Sequence, residues 1–160
     1  MVRYLLAAAL LISTVVSVQA EPWRTDSLTL ESGTVHSASV ISTDGDYALV
    51  VECTLNAPFS MWVESPFDWE PGASYAPEVP TRFVVNGVEV SDVMFQFDPK
   101  QLGEGISSSP ESQEALGRLL DAMLGMGNHG EIEFNYFDRS ASFTTDGLVD
   151  SLLVLANNCL

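Results

Sequence analysis

The chain has 160 residues and carries 22 acidic side chains against six basic ones, for a formal net charge of −16. A balance this negative argues against nucleic acid and anionic membrane surfaces as partners, because both are polyanions; it leaves a cationic partner, or solubility alone, as its meaning. The length suits one domain, and a domain of that size holds a core without metals or a dense set of disulfides.

The chain opens on Met1-Val2-Arg3, a short segment with one positive charge. An apolar run follows from Leu5 to Val16, and then Ser17-Val18-Gln19-Ala20, with small residues where a leader peptidase reads them. This three-part pattern is that of a secretory signal peptide, residues 1–20, with cleavage expected after Ala20. The apolar run falls short of the ~20 residues a membrane-spanning helix needs. There is no Cys at the junction to carry a lipid, and no later run is long and apolar enough to span a bilayer. The expected product is a single globular domain over residues 21–160, periplasmic or secreted and not inserted in a membrane. Loss of Arg3 with the leader takes the charge from −16 to −17.

Leu28–Leu30 and Val35–Ile41 read as short strands, the second leading into Asp44-Gly45-Asp46, a turn signal. In the next strand Tyr47, Leu49, Val51, Cys53 and Leu55 alternate with Ala48, Val50, Glu52 and Thr54. Period two therefore sets Cys53 on the Leu49/Val51 face, the expected core face.

Residues 56–80 differ in kind. Five of the eight prolines fall here, interleaved with Phe59, Trp62, Phe67, Trp69 and Tyr75 and with Glu64, Asp68, Glu70 and Glu78. At most Phe59–Val63 is strand, and the rest reads as a proline-punctuated loop. Trp62, Glu64, Phe67, Asp68, Trp69, Glu70 and Tyr75 form the candidate binding surface. Aromatic rings give contact area at low entropy cost, and flanking carboxylates favour a basic partner. The competing reading is that these rings fold back to cover an open sheet face.

Regular structure resumes at Arg82. Phe83-Val84-Val85, Asn86-Gly87 and Val88-Glu89-Val90 make a strong hairpin signal, since Asn-Gly tolerates the positive φ angles of a type I′ turn. After Ser91, Val93, Phe95 and Phe97 share one strand face, and a polar stretch from Asp98 to Ser109 follows. Ser109-Pro110-Glu111 opens a helix over about 110–125, whose Leu116, Leu119, Leu120, Met123 and Leu124 recur at helical spacing. The glycine-rich turn 125–130 ends it. Glu131–Phe137 alternates as a strand with Ile132, Phe134 and Tyr136 on one face, and Ala141–Thr144 is placed to pair back. Asp146 is the expected cap of a last helix over about 147–158, with an apolar stripe of Leu148, Leu152, Leu155 and Cys159.

Cys53 and Cys159 are the only cysteines. One sits on the apolar face of a strand and the other on the apolar face of a helix. Helix-on-sheet packing brings the two faces together, and an exported protein with an even cysteine count favours pairing. A Cys53–Cys159 bridge closing a loop of this length is worth roughly 4–5 kcal/mol in the chain-entropy description. The expected fold is α+β and mainly β: an antiparallel sheet or sandwich with two helices packed on it.

Signatures of chemistry are missing. There is no Gly-x-Ser-x-Gly, no phosphate-binding Gly-Lys-Ser/Thr loop and no His-Glu-x-x-His, and His36 and His129 are the only histidines. His36 reads as a polar strand residue and His129 as part of a helix stop. Asp44-Gly45-Asp46 lacks the further ligands of a calcium loop, and the cysteines and histidines lack zinc spacing. No metal or other cofactor is expected. Glu131 with Glu133, or Glu64 with Glu70, would be carboxylate pairs for a small hydrolase. The leading expectation is a non-catalytic exported binding protein with a cationic protein as partner; the alternatives are a structural cell-envelope protein with no discrete site and that hydrolase.

The last third has a further pattern. A helix ending in glycine, then Glu131-Ile132-Glu133-Phe134, then Phe143-x-x-x-Gly147-Leu148-x-x-x-Leu152-x-x-Leu155, resembles the C-terminal part of invasion-associated-locus-B-like proteins, small exported proteins of alphaproteobacteria. The resemblance spans residues 116–159 and rests on hydrophobic spacing. The family's mid-domain cysteine pair has no counterpart here, since Arg82–Phe97 contains no Cys. What the resemblance implies is a β-rich periplasmic fold, with no catalytic residue carried over.

Overall fold

Alternating side chains in the first half build a run of adjacent hairpins. The computed structural model describes residues 20–64, 79–90, 93–97, 105–108, 112–136 and 139–160. β1 (Arg24–Leu30) turns back into β2 (Gly33–Ile41), which pairs with it from Arg24↔Ser39 to Leu30↔Gly33 without a break. β3 (Ala48–Thr54) follows, and β4 (Ser60–Glu64) lies beside it. The turn from β2 to β3 is held by side chains: the Asp44 carboxylate accepts from the Ser42 hydroxyl and the Asp46 N–H, and Ser42 Oγ accepts the Tyr47 N–H at 2.9 Å.

β5 (Val79–Val85) and β6 (Val88–Val90) form the hairpin expected at Asn86-Gly87. Both turn residues have positive φ, 51° and 78°, as a type I′ turn requires. The strand begins earlier than Arg82, and its first two residues make a separate set of pairs: Val79 and Pro80 pair with β7 (Met94–Phe97), whereas Thr81–Val85 pair with β9 (Glu131–Tyr136). Pro80 has no N–H to give to a ladder, so it fits at the point where the strand changes partner.

A further strand corrects the sequence reading. β8 (Gly105–Ser108) lies inside the polar stretch Asp98–Ser109 and pairs between β4 and β7. β10 (Arg139–Thr144) pairs back on β9 as expected, over a longer run than Ala141–Thr144. Among the described residues the ten strands follow the order β1-β2-β3-β4-β8-β7-β5-β9-β10, with β6 also on β5, and every pair is antiparallel. The two ends of this path meet at one corner, where the Thr43 N–H donates to Ser142 O at 2.8 Å and the Trp23 N–H to Asp146 O at 2.8 Å.

Two helices complete the α+β, mainly β fold. α1 (Gln113–Met126) buries Ala115, Leu116, Leu119 and Met123, while Leu124 is exposed. Its N-cap is Ser112, which makes no side-chain cap bond; the hydroxyl instead accepts the Met94 N–H at 2.9 Å and ties the helix start to β7. Ser109, the expected cap, lies outside the described residues. Gly127, at φ 69°, ends the helix. α2 (Leu148–Cys159) buries the expected stripe of Leu148, Leu152, Leu155 and Cys159. Its N-cap is Gly147 rather than Asp146, and the Val149 N–H is met from outside the helix by Asn128 Oδ1 at 3.1 Å.

One core runs through the molecule. Leu49, Val51, Met61 and Val63 share it with the α2 stripe in the first half of the sheet. Phe83, Phe95 and Phe134, from β5, β7 and β9, stack with centroids 5.0–5.9 Å apart and join the second half to it. Cys53 and Cys159 form a disulfide with their Cα atoms 6.1 Å apart, so the end of α2 is fastened to β3 as the face argument required.

Candidate functional site

Of the seven candidate binding residues, Trp62 and Glu64 are described, and Phe67, Asp68, Trp69, Glu70 and Tyr75 lie outside the described residues. On β4 the alternation is plain: Met61 and Val63 are buried in the core, so Ser60, Trp62 and Glu64 project from the opposite face. That face continues across β3 as Glu52, Val50 and Ala48, which stand directly opposite Ser60, Trp62 and Glu64.

Trp62 is half-buried and fixed in place. Its indole Nε1–H donates to Glu52 Oε2 at 3.3 Å, and the Ser60 hydroxyl donates to Glu52 Oε1 at 3.1 Å. Both carboxylate oxygens of Glu52 are thereby aimed. Val50, directly opposite Trp62, is almost fully buried although it lies on the outer face. The half-buried ring thus stands beside Glu52 and an exposed Glu64, with the buried Val50 across from it.

Among the described residues no ion pair compensates the charge around this ring. Arg24 pairs with Glu21, Arg82 with Glu89 and Arg118 with Glu114, all between exposed side chains and none reaching Glu52 or Glu64. An indole face flanked by the hydrogen-bonded carboxylate of Glu52 and the exposed one of Glu64 suits a Lys or Arg side chain, through cation–π attraction and charge pairing together.

The other candidates stay dispersed. His36 Nδ1 lies 2.8 Å from Ser27 Oγ on the exposed β1–β2 hairpin, and among the described residues no carboxylate is bonded to the ring to complete a triad. His129 is exposed in the turn after α1, where Gly127, Asn128 and Gly130 are spent on helix ends and on the bond to Thr145. Glu131 and Glu133 are both exposed on β9, away from any apolar surrounding that would make one of them an acid. Asp44 and Asp46 serve their own turn. Among the described residues no group of three or more His, Cys, Asp or Glu side chains is placed to hold a metal ion. An open cleft of about 530 Å³ lies between residues 20–24 and the β10–α2 junction, lined by Ala20, Glu21, Pro22, Arg24, Thr144 and Asp146.

Two residues that matter here were not singled out from sequence. Glu52 was placed on the right face by alternation, but its bond to Trp62 depends on the β3–β4 register. Trp23 is 5 % exposed and anchors the start of the domain, its Nε1–H donating to Thr144 O at 2.8 Å. Compared with known protein families, characterised proteins and solved structures, the chain matches none of them.

Proposed function

We propose that the chain is an exported acidic binding protein without catalytic activity, and that its partner is a cationic protein. The observation carrying this reading is the outer face of β3 and β4, where Glu52 holds Trp62 and Glu64 stands free beside it. The overall charge supports it by steering basic partners toward the domain. The Cys53–Cys159 bridge supports a periplasmic or secreted location, since such crosslinks persist in oxidising compartments. No helix among the described residues is long and apolar enough to cross a membrane. Kinship with the invasion-associated-locus-B-like proteins belongs to the same proposal. An inhibitory or immunity role against a basic hydrolase fits this chemistry.

The test is binding of a panel of basic hydrolases, of high isoelectric point, to the purified disulfide-bonded protein. Binding should weaken steeply with salt and fall by about tenfold in Trp62→Ala and in Glu64→Lys. One observation favours a second reading: Trp62 stands opposite the buried Val50 and has its N–H satisfied within the chain. On that reading the protein is a structural envelope component and the ring only a lid on the sheet. Trp62→Ala would then lower stability and leave binding of every basic protein unchanged.

A further inference from the structure

β1 ends the strand path, and among the described residues it pairs with β2 alone. All seven of its residues are exposed. The strand holds no proline and no lysine, and its register against β2 runs without a bulge, so the usual devices that blunt a sheet edge are few. On the outer face, Leu28 and Leu30 are 61 % and 47 % exposed. Asp26 projects from the same face two positions before Leu28, and no ion pair neutralises it among the described residues. Arg24, the one cation of the strand, is already paired with Glu21 at 2.7 Å.

We infer that the free edge of β1 takes an extended strand from the cationic partner by strand addition; this rests on the proposed function and assigns its binding mode. Backbone hydrogen bonds along an edge supply affinity, and alternate side chains supply selectivity. Every pair in this sheet is antiparallel, so the added strand runs opposite to β1. Read from its own N-terminus, it meets Leu30, then Leu28, then Asp26 at every second residue. The matching sequence is apolar-x-apolar-x-basic, its intervening residues facing the hydroxyls of Thr29 and Ser27. A second copy of this chain is a poor occupant: it brings another large negative charge, and the one cation of its β1, Arg24, is paired with Glu21.

The experiment titrates the purified, disulfide-bonded protein with a blocked synthetic peptide, Thr-Val-Thr-Val-Thr-Lys-Thr, and follows amide hydrogen exchange. Slowed exchange concentrated on residues 26–30 is expected. Asp26→Lys should weaken the peptide by about fivefold, and a peptide with Glu in place of Lys should recover the loss. Leu28→Ser should weaken both peptides. A scrambled peptide binding equally well overturns strand addition, and so does binding that leaves the β1 amides unchanged. Concentration-dependent protection of β1 without peptide overturns the choice of occupant, since a second copy then fills the edge. If basic proteins still bind through Trp62 while β1 stays unaffected, the cationic-partner reading survives and strand addition alone fails.

Discussion

Asp44 shows how one side chain sets a local pH response. The Ser42 hydroxyl bonded to its carboxylate draws its pKa below the ordinary 3.8; burial opposes the shift and is outweighed, and the N–H groups of Asp46 and of Asp44 itself add to the lowering. A depressed carboxylate pKa contributes stability that is fully present above the unfolded value and is lost as pH falls through the folded one. Asp44→Ala should therefore lower the Tm at pH 7, and the gap to the parent should close as pH drops from about 5 toward 2. A gap that persists at pH 2 would mean that the charge has no part in it. Gly147 makes a separate point. It holds φ at 75°, and a Cβ there would lie 3.3 Å from the Trp23 carbonyl oxygen. Gly147→Ala should cost about 1–2 kcal/mol by denaturant unfolding, from the left-handed backbone alone, and should loosen Trp23. At this scale the sequence was partly legible. Alternation assigned faces to Cys53 and Glu52, but nothing local marked Trp23 as buried, because its partners Thr144 and Asp146 lie more than a hundred residues away.

Elements were readable where their own pattern was strong. Ile132, Phe134 and Tyr136 alternate in β9, and Leu148, Leu152, Leu155 and Cys159 repeat in α2; each buries as its period demands. β8 was not readable, because Gly105-Ile106-Ser107-Ser108 has one apolar residue and owes its strand state to pairing with β4 and β7 on either side. The cap of α2 falls on Gly147 rather than Asp146 for a related reason: orphan N–H groups at a helix start look to whichever acceptor the fold brings near, and here that is Asn128, twenty-one residues upstream. Asn128→Ala should then destabilise the domain by about 1 kcal/mol, the usual worth of a helix cap. Hydrogen exchange should show the loss as faster exchange in the first turn of α2. A variant as stable as the parent would mean that solvent caps that turn equally well.

The whole molecule depends on fastening one helix across a sheet whose ends meet only at a corner. The start of α2 is set by Gly147, Asn128 and Trp23, and its end by the Cys53–Cys159 bond and the Asn56 N–H donating to Cys159 O at 3.0 Å. Between these points Leu148, Leu152 and Leu155 bury against β2 and β3. The bridge spans 106 positions, so it restricts the unfolded chain strongly, and its removal should cost about 2–5 kcal/mol. The test pairs reductant with the double variant Cys53→Ala/Cys159→Ala, which leaves no buried lone thiol to confuse the comparison. Reduced parent and oxidised variant should melt at similar, lowered temperatures, and the variant should ignore reductant. Because the start of α2 keeps its own anchors, the helix should fray from residue 159 backward, with exchange rising first over 155–159 while 148–152 stays protected. Uniform loss of protection along α2 would show instead that the bond holds the entire helix. An unchanged Tm would show that the apolar stripe alone is enough to keep it on the sheet.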